Sequence, residues 1–234
     1  MIFTDRFLFL HYPKTAGKSL SAAVVQSWGG LVTAYISPGQ MCELAGYVAR
    51  GSTLYVEGAH QNAVGADKPL NDFHGTSVSK MEAVVLGTRS PYSRFLSEFF
   101  FLRNSYASGS RASPKMEIAA ACADPLEFAQ KFQPKSSISW FSLDRKNVLP
   151  NLRLVRFENI QSDFDAIAEE FGYPSTKMPH LNAGKVRSYD EYMCEELEEL
   201  VYQQYRPFFE LCNYDRMTGL PKVAVAASEG PITS

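Results

Sequence analysis

Two lysines flank a run of small residues near the start of the chain, at His11-Tyr12-Pro13-Lys14-Thr15-Ala16-Gly17-Lys18-Ser19. An apolar strand pattern, Phe7 to His11, precedes this run, and a helical pattern from Lys18 to Trp28 follows it. A small-residue loop between a strand and a helix presents backbone N–H groups, the positive end of a helix and ammonium groups. The sequence therefore predicts a site for a phosphate-like anion at this junction.

The loop departs from the Walker A pattern of nucleoside triphosphatases, G-x-x-x-x-G-K-[ST]. Tyr12 stands where that pattern has its first glycine, and Pro13 occupies the tightest part of the turn. These differences weaken the interpretation as a P-loop kinase or nucleotide hydrolase. That alternative would use Tyr55-Val56-Glu57 as a degenerate Walker B strand and would depend on Mg²⁺ and a triphosphate.

A second cationic segment, Arg89 to Ser97, follows the apolar run Ala83 to Thr88. The uninterrupted apolar run is typical of a strand buried on both faces, and Ser90-Pro91 is typical of a helix cap followed by the first helical residue. Arg89 then lies at the carboxyl end of the strand, with Ser97 about two turns into the helix. At this spacing the Ser97 hydroxyl can project from the helix toward the same side as Arg89.

These two segments together resemble a known family. Residues Pro13 to Leu20 resemble the 5′-phosphosulfate loop, P-K-T-[AG]-G-[TK]-[ST], of sulfotransferases that use 3′-phosphoadenosine 5′-phosphosulfate (PAPS), and Arg89 to Ser97 resembles their 3′-phosphate segment, R-x-P-x-x-R-x-x-S. The resemblance covers most of residues 7–216 and implies a P-loop-like sulfotransferase fold, PAPS as cofactor and no metal. Weaker similarities lie at Val155 to Ile160, His180 to Ala183 and Tyr202 to Asp215.

The resemblance implies that Lys14 binds the leaving phosphate and the bridging oxygen. A lysine can serve where a kinase needs Mg²⁺, because the sulfuryl group carries less charge than a γ-phosphate. Lys18 and the amides of Thr15 to Ser19 would hold the remaining 5′ oxygens. The alternative for both lysines is that they are solvated loop residues.

Arg89 and Ser97 would hold the 3′-phosphate in such an enzyme, although Arg89 could instead cap its strand or pair with Glu98. Lys185 and Arg187 match basic residues that reach over the cofactor in related enzymes, and solvated loop charges explain them equally well. The cofactor-binding residues implied are Pro13, Lys14, Thr15, Ala16, Gly17, Lys18, Ser19, Arg89, Ser97, Lys185 and Arg187.

The acceptor must lose a proton, which requires a general base near a neighbouring strand end. His60, in Glu57-Gly58-Ala59-His60, resembles the Gly-His element that carries the base in several carbohydrate sulfotransferases, with Ala59 inserted. Glu57 is the second candidate, since other members use a carboxylate. The catalytic set is therefore Lys14 with His60 or Glu57, and a structural role is the alternative for His60. His11, beside the loop, is expected to buttress it.

Strand and helix patterns alternate along the chain, which predicts an α/β fold with a central parallel sheet flanked by helices. We expect one domain over residues 1–220 and a frayed tail over 221–234. We predict a loop at 61–78 and a mobile lid at 104–123. Both are expected to shape the acceptor site. The further predicted elements are strands at 31–36, 53–57 and 152–157, and helices at 38–51, 91–102, 125–132, 162–171 and 189–205.

Composition excludes several other classes of protein. The net charge of −2 offers no general attraction to nucleic acid or to an anionic membrane. The four-residue apolar run at 7–10 is too short for a signal peptide or a membrane span. Four cysteines without metal-ligand spacing favour reduced thiols in the cytosol. The expected partner is a carbohydrate or small-molecule acceptor, and the further alternative is a binding module for nucleotides or sulfated glycans without catalysis.

Overall fold

The computed structural model describes residues 1–222 except 39, 41–43, 45, 57, 111, 133–136, 180 and 182–190. Six strands of the described chain form one sheet in the order β4-β3-β1-β2-β5-β6, and all are parallel to one another except the short β1. The predicted α/β class is therefore confirmed. The strands are β1 Ile2–Phe3, β2 Phe7–Leu10, β3 Thr33–Tyr35, β4 Thr53–Tyr55, β5 Ala83–Thr88 and β6 Leu152–Arg156.

Seven α-helices of the described residues cover the sheet, and no helix among them is long and apolar enough to cross a membrane. Residues 38, 40 and 44 are also helical, inside the predicted 38–51 helix, but 46–51 are not. The helices are α1 Gly17–Trp28, α2 Ala63–His74, α3 Pro91–Ala107, α4 Pro114–Ala121, α5 Pro125–Lys131, α6 Ile160–Glu170 and α7 Glu195–Leu211.

Alternation along β2 divides the core between the two faces of the sheet. Phe7 and Phe9 pack with α1 and α6, whereas Leu8 and Leu10 pack with α2, α3, α4, α5 and α7. Every residue of β5 is buried, as the unbroken apolar run predicted. The central strands are therefore rigidly held, and their carboxyl ends are fixed in place for the loops that follow.

Two predicted loops are helical. The segment 61–78 contains α2, whose N-cap Asn62 accepts a hydrogen bond from the Gly65 N–H at 2.8 Å. The prediction failed because Gly65 and Pro69 are poor helix formers, and packing of the buried Ala63, Ala66 and Leu70 outweighs that preference.

The predicted lid 104–123 is also wrong as a loop. Helix α3 continues to Ala107, and α4 packs against it through the buried Met116 and Ala119, with Ser113 as its cap. Alanine-rich α4 has little amphipathic periodicity, so its helical state comes from tertiary packing.

Other boundaries differ from the sequence pattern. Strand β1 was not predicted, because two residues carry no periodicity. The predicted 189–205 helix begins only at Glu195, continues to Leu211 and is kinked at Tyr205, two residues before Pro207. Residues 189 and 190 lie outside the described chain.

Candidate functional site

Three neighbouring strands end at one edge of the sheet. Leu10 of β2 pairs with Leu86 of β5, and Thr88 of β5 pairs with Arg156 of β6. The parallel register therefore brings the loop after β2, the residue Arg89 after β5 and the residue Phe157 after β6 side by side. This is the edge at which ligands bind in open α/β sheets.

The loop between β2 and α1 has an unusual backbone. Lys14 and Ala16 adopt positive φ angles of 69° and 57°, which residues other than glycine rarely adopt. Ala16 is the N-cap of α1 and provides no side-chain hydrogen bond to the first-turn N–H groups. A left-handed residue directly before a helix turns successive N–H groups toward one concavity, and such concavities bind anions.

His11 packs against Gly17 of this loop and so supports it, as predicted. Its Nδ1 accepts a hydrogen bond from Gln40 Nε2 at 3.0 Å, because Gln40 Oε1 is committed to the Ser37 N–H. The His11 proton is therefore on Nε2, the atom that a Cβ on Gly17 would meet at 1.7 Å. Burial, together with the charge of nearby His60, holds the pKa of His11 well below its usual value. Gly17 is required here because only glycine allows the imidazole so close.

Lys14 faces the same edge of the sheet. Its Nζ lies 4.2 Å from the ring centroid of Phe101, an α3 residue that is 53% exposed. Burial lowers the pKa of Lys14, and the positive charges of Arg89 and Lys18 lower it further. These cations, from three separate elements, are therefore close enough to act on one another.

Arg89 completes the cationic edge. Its guanidinium lies 4.4 Å from the ring centroid of Phe157, and its Nε donates to Ser93 Oγ at 3.0 Å. Burial lowers the pKa of Arg89, and the charge of Glu158 opposes that shift. The serine bonded to Arg89 is thus Ser93, and the predicted Ser97 lies one helical turn farther along the same face of α3.

The alternative ion pair between Arg89 and Glu98 does not form. Glu98 pairs with Arg94 and not with Arg89. Arg156 pairs with Asp163 at 2.8 Å, whereas Glu158 accepts hydrogen bonds from the Ser90 N–H and the Tyr214 hydroxyl. Arg89 therefore keeps its guanidinium at the edge of the sheet.

The hydroxyls of Thr15 and Ser19, two of the predicted cofactor-binding residues, are hydrogen-bonded within the protein. Thr15 Oγ1 donates to the Tyr12 carbonyl at 2.8 Å, which closes the turn around Pro13. Ser19 Oγ accepts from the Leu181 N–H at 3.2 Å, so this hydroxyl is engaged with a distant backbone segment. Lys18 lies in the first turn of α1. The hydroxyl of Ser19 would have to exchange partners in order to bind an anion.

His60 lies beside the loop although β4 is far from β2 in the strand order. Its Nδ1 donates to the His11 carbonyl at 3.0 Å, and the two imidazole centroids are 4.5 Å apart. Because a carbonyl only accepts, the His60 Nε2 carries the lone pair. Desolvation lowers the pKa of His60, and its hydrogen bond to His11 opposes that shift. His60 is therefore a neutral imidazole at neutral pH, with its unprotonated basic nitrogen at Nε2. Glu57, Lys185 and Arg187 lie outside the described residues.

Sequence reasoning missed the role of Tyr12 and Arg94. The guanidinium of Arg94, 6% exposed, lies between the rings of Tyr12 and Tyr205, at 4.4 Å and 4.9 Å from their centroids. Tyr12 also stacks on Phe208 at 4.5 Å. The aromatic residue that breaks the Walker A pattern thus anchors the loop in the core. The sequence feature that could have predicted this contact is the presence of Tyr12 together with Arg94, the second arginine of the 89–97 segment.

Within the described ranges, no three histidine, cysteine or acidic side chains converge on a metal site, and Cys122, Cys194 and Cys212 are free thiols. Comparison of the chain with protein-family models, curated proteins and solved structures found no match. The function must therefore be inferred from the residues of the site.

Proposed function

We propose that this chain is a PAPS-dependent sulfotransferase with a P-loop-like fold, which acts on a hydroxyl or amine of a carbohydrate or small-molecule acceptor. One observation carries the proposal. Two segments far apart in the sequence, each similar to one half of the PAPS pattern, meet at one sheet edge, where the charge of Arg89 acts on Lys14. The residues present fit a ligand with two separate anionic groups.

The loop and the helix terminus would bind the 5′ end of the donor. The left-handed backbone at Lys14 and Ala16 and the uncapped start of α1 would provide N–H donors, and Lys14 would provide an ammonium group. Positive charge at the leaving oxygen stabilises the loose transition state of sulfuryl transfer. Arg89, with Ser93 and Ser97 on the adjacent turns of α3, would bind the 3′-phosphate by charge-assisted hydrogen bonds.

His60 would remove the acceptor proton. Its hydrogen bond to the His11 carbonyl holds the proton on Nδ1 and leaves Nε2 as the base. The lowered pKa keeps this imidazole neutral at neutral pH, which is the state a general base requires.

Thermal unfolding with nucleotides tests the binding half of the proposal. Adenosine 3′,5′-bisphosphate at about 100 times its Kd should stabilise the protein by about 2.7 kcal/mol. Adenosine 5′-phosphate at the same concentration should stabilise it much less, because Arg89 then has no phosphate to bind. Equal shifts from both nucleotides, or a shift only with ATP and Mg²⁺, would favour a kinase or nucleotide hydrolase instead.

Replacement of the base tests the catalytic half. His60→Ala should lower kcat by about 10²–10⁴ and leave the affinity for adenosine 3′,5′-bisphosphate unchanged. In the wild type, kcat should fall as the pH drops through the His60 pKa, and this acidic limb should vanish in the variant. Full turnover in His60→Ala, together with an inactive but folded Glu57→Gln, would identify Glu57 as the base. Binding of the nucleotide without any turnover would indicate a binding module.

A further inference from the structure

A buried carboxylate lies beneath the cationic edge. Glu98, on α3, has a side chain that is 13% exposed, and both of its oxygens are occupied. Oε2 accepts from Arg94 Nη1 at 2.9 Å, and Oε1 accepts from Lys115 Nζ, which comes from α4. One carboxylate therefore serves two cations from two helices.

Arg94 depends on this carboxylate. Its guanidinium is buried between the rings of Tyr12 and Tyr205, and its Nε has no hydrogen-bond acceptor among the residues that the structure describes. Glu98 is the one acidic side chain within the described chain that forms an ion pair with it. Without Glu98, a buried arginine would be left unpaired, which is strongly unfavourable.

Glu98 is also close to Lys14 in the fold. Lys14 Nζ lies over Phe101, which is one helical turn after Glu98 on α3. Tyr12, which Arg94 contacts, is two residues before Lys14 in the same loop. The carboxylate thus supports the loop through Arg94 and acts on Lys14 across one turn of the helix.

Apart from Glu98, the described residues whose charges act on Lys14 are all positive. Burial lowers the pKa of Lys14. Three cations lower it further: Arg89 after β5, Arg94 on α3 and Lys18 on α1. Glu98 raises it. Burial would raise the pKa of Glu98 itself, but Arg94 and Lys115 hold it below its usual value, so the carboxylate is ionised at neutral pH.

We propose that Glu98 is a positioning residue of the anion site: it is the shared counter-ion that holds Arg94 against Tyr12 and offsets the positive charges that surround Lys14. The inference rests on the proposed function only in taking Lys14 as the lysine that faces the anion. Glu98 does not contact the ligand, because its two oxygens are bound to Arg94 and Lys115 inside the protein.

The test measures the protonation of Lys14 directly. The rate of Lys14 acetylation by trace acetic anhydride, followed by mass spectrometry across a pH series, reports the fraction of neutral amine. In Glu98→Gln, the pH of half-maximal reactivity should fall by roughly half a unit to one unit. In Lys115→Met, it should rise, because a competing cation is removed and the carboxylate is less neutralised. Glu117→Gln, at an exposed acid on α4, is the matched control and should change nothing.

Opposite shifts distinguish the proposal from simple loss of structure, which would move both variants in the same direction. Shifts of the same sign, or an unchanged Lys14 profile in Glu98→Gln, would overturn it. If Glu98→Gln does not fold, the proposal is tested by Lys115→Met alone. It is then overturned if the pH of half-maximal Lys14 acetylation does not rise in that variant. The labelling requires no nucleotide, so a failure of adenosine 3′,5′-bisphosphate to bind the wild type would contradict the proposed function and leave this result standing.

Discussion

The two strand-to-helix turns at the cationic edge are built in different ways. Each follows a parallel strand, and each places a cation over an exposed phenylalanine. The β2–α1 turn has left-handed residues at Lys14 and Ala16, whereas the absence of a side-chain cap is common to the helix starts of both turns. In the β5–α3 turn, Pro91 has no N–H and the Ser90 N–H is bonded to Glu158.

The difference assigns distinct chemistry to the two turns. The β2–α1 turn has backbone donors available for an anion, at the expense of strained φ angles. The β5–α3 turn has no N–H at Pro91, and its Ser90 N–H is bonded to Glu158, so side chains such as Arg89 would provide more of the contacts to an anion there. In the proposed function, the β2–α1 turn binds the group that reacts and the β5–α3 turn binds a group that does not react.

The largest effects should separate rate from affinity. Lys14→Met should lower turnover by about 10²–10³ while adenosine 3′,5′-bisphosphate still binds, because the backbone donors and Arg89 remain. Arg89→Met should instead weaken binding of the bisphosphate by about 10- to 100-fold and hardly affect binding of adenosine 5′-phosphate. Steady-state kinetics and calorimetry measure the two effects. Identical profiles for both variants would show that the two turns act as one undivided site.

Low pH should destabilise the β2–α1 turn, which contacts two histidines. The β5–α3 turn has no histidine and should not respond. His11 and His60 have lowered pKa values in the folded protein, so below about pH 6.5 the unfolded chain binds more protons. Stability should therefore fall as the pH falls from 6.5, by at most about 1.4 kcal/mol per pH unit for the buried His11.

Thermal unfolding at pH 7.5 and 5.5 measures this loss. His11→Gln should be less stable than the wild type at pH 7.5, because the packing on Gly17 is disturbed. It should nevertheless show a smaller difference between the two pH values. An undiminished difference would mean that other groups cause the acid sensitivity.

The smallest effect concerns backbone strain. Ala16→Gly should stabilise the protein by about 0.5–1 kcal/mol, since glycine adopts a positive φ without the Cβ penalty but loses more entropy on folding. The control is Ala166→Gly, at an exposed position inside α6, which should destabilise by about 1 kcal/mol. Chemical denaturation measures both. A loss of stability in Ala16→Gly would show that the loop carries no relievable strain at that residue.

The sequence determined the parts that depend on neighbouring residues along the chain. The buried strand β5 follows from its uninterrupted apolar run, α1 from its small and apolar periodicity, and the loop between β2 and α1 from the small residues that separate a strand pattern from a helix pattern. These features were predictable because periodicity and turn chemistry act over a few residues. Helix α2 was not, since its local preferences oppose its structure.

Tertiary structure alone decided which charge meets which partner. The choice of Ser93 for Arg89, of Asp163 for Arg156 and of Glu98 for Arg94 depends on the relative positions of strands and helices. The protonated nitrogen of His60 likewise depends on a carbonyl 49 positions earlier in the chain. Residue types state which interactions are possible, but burial, distance and geometry select among them, and those are properties of the assembled fold.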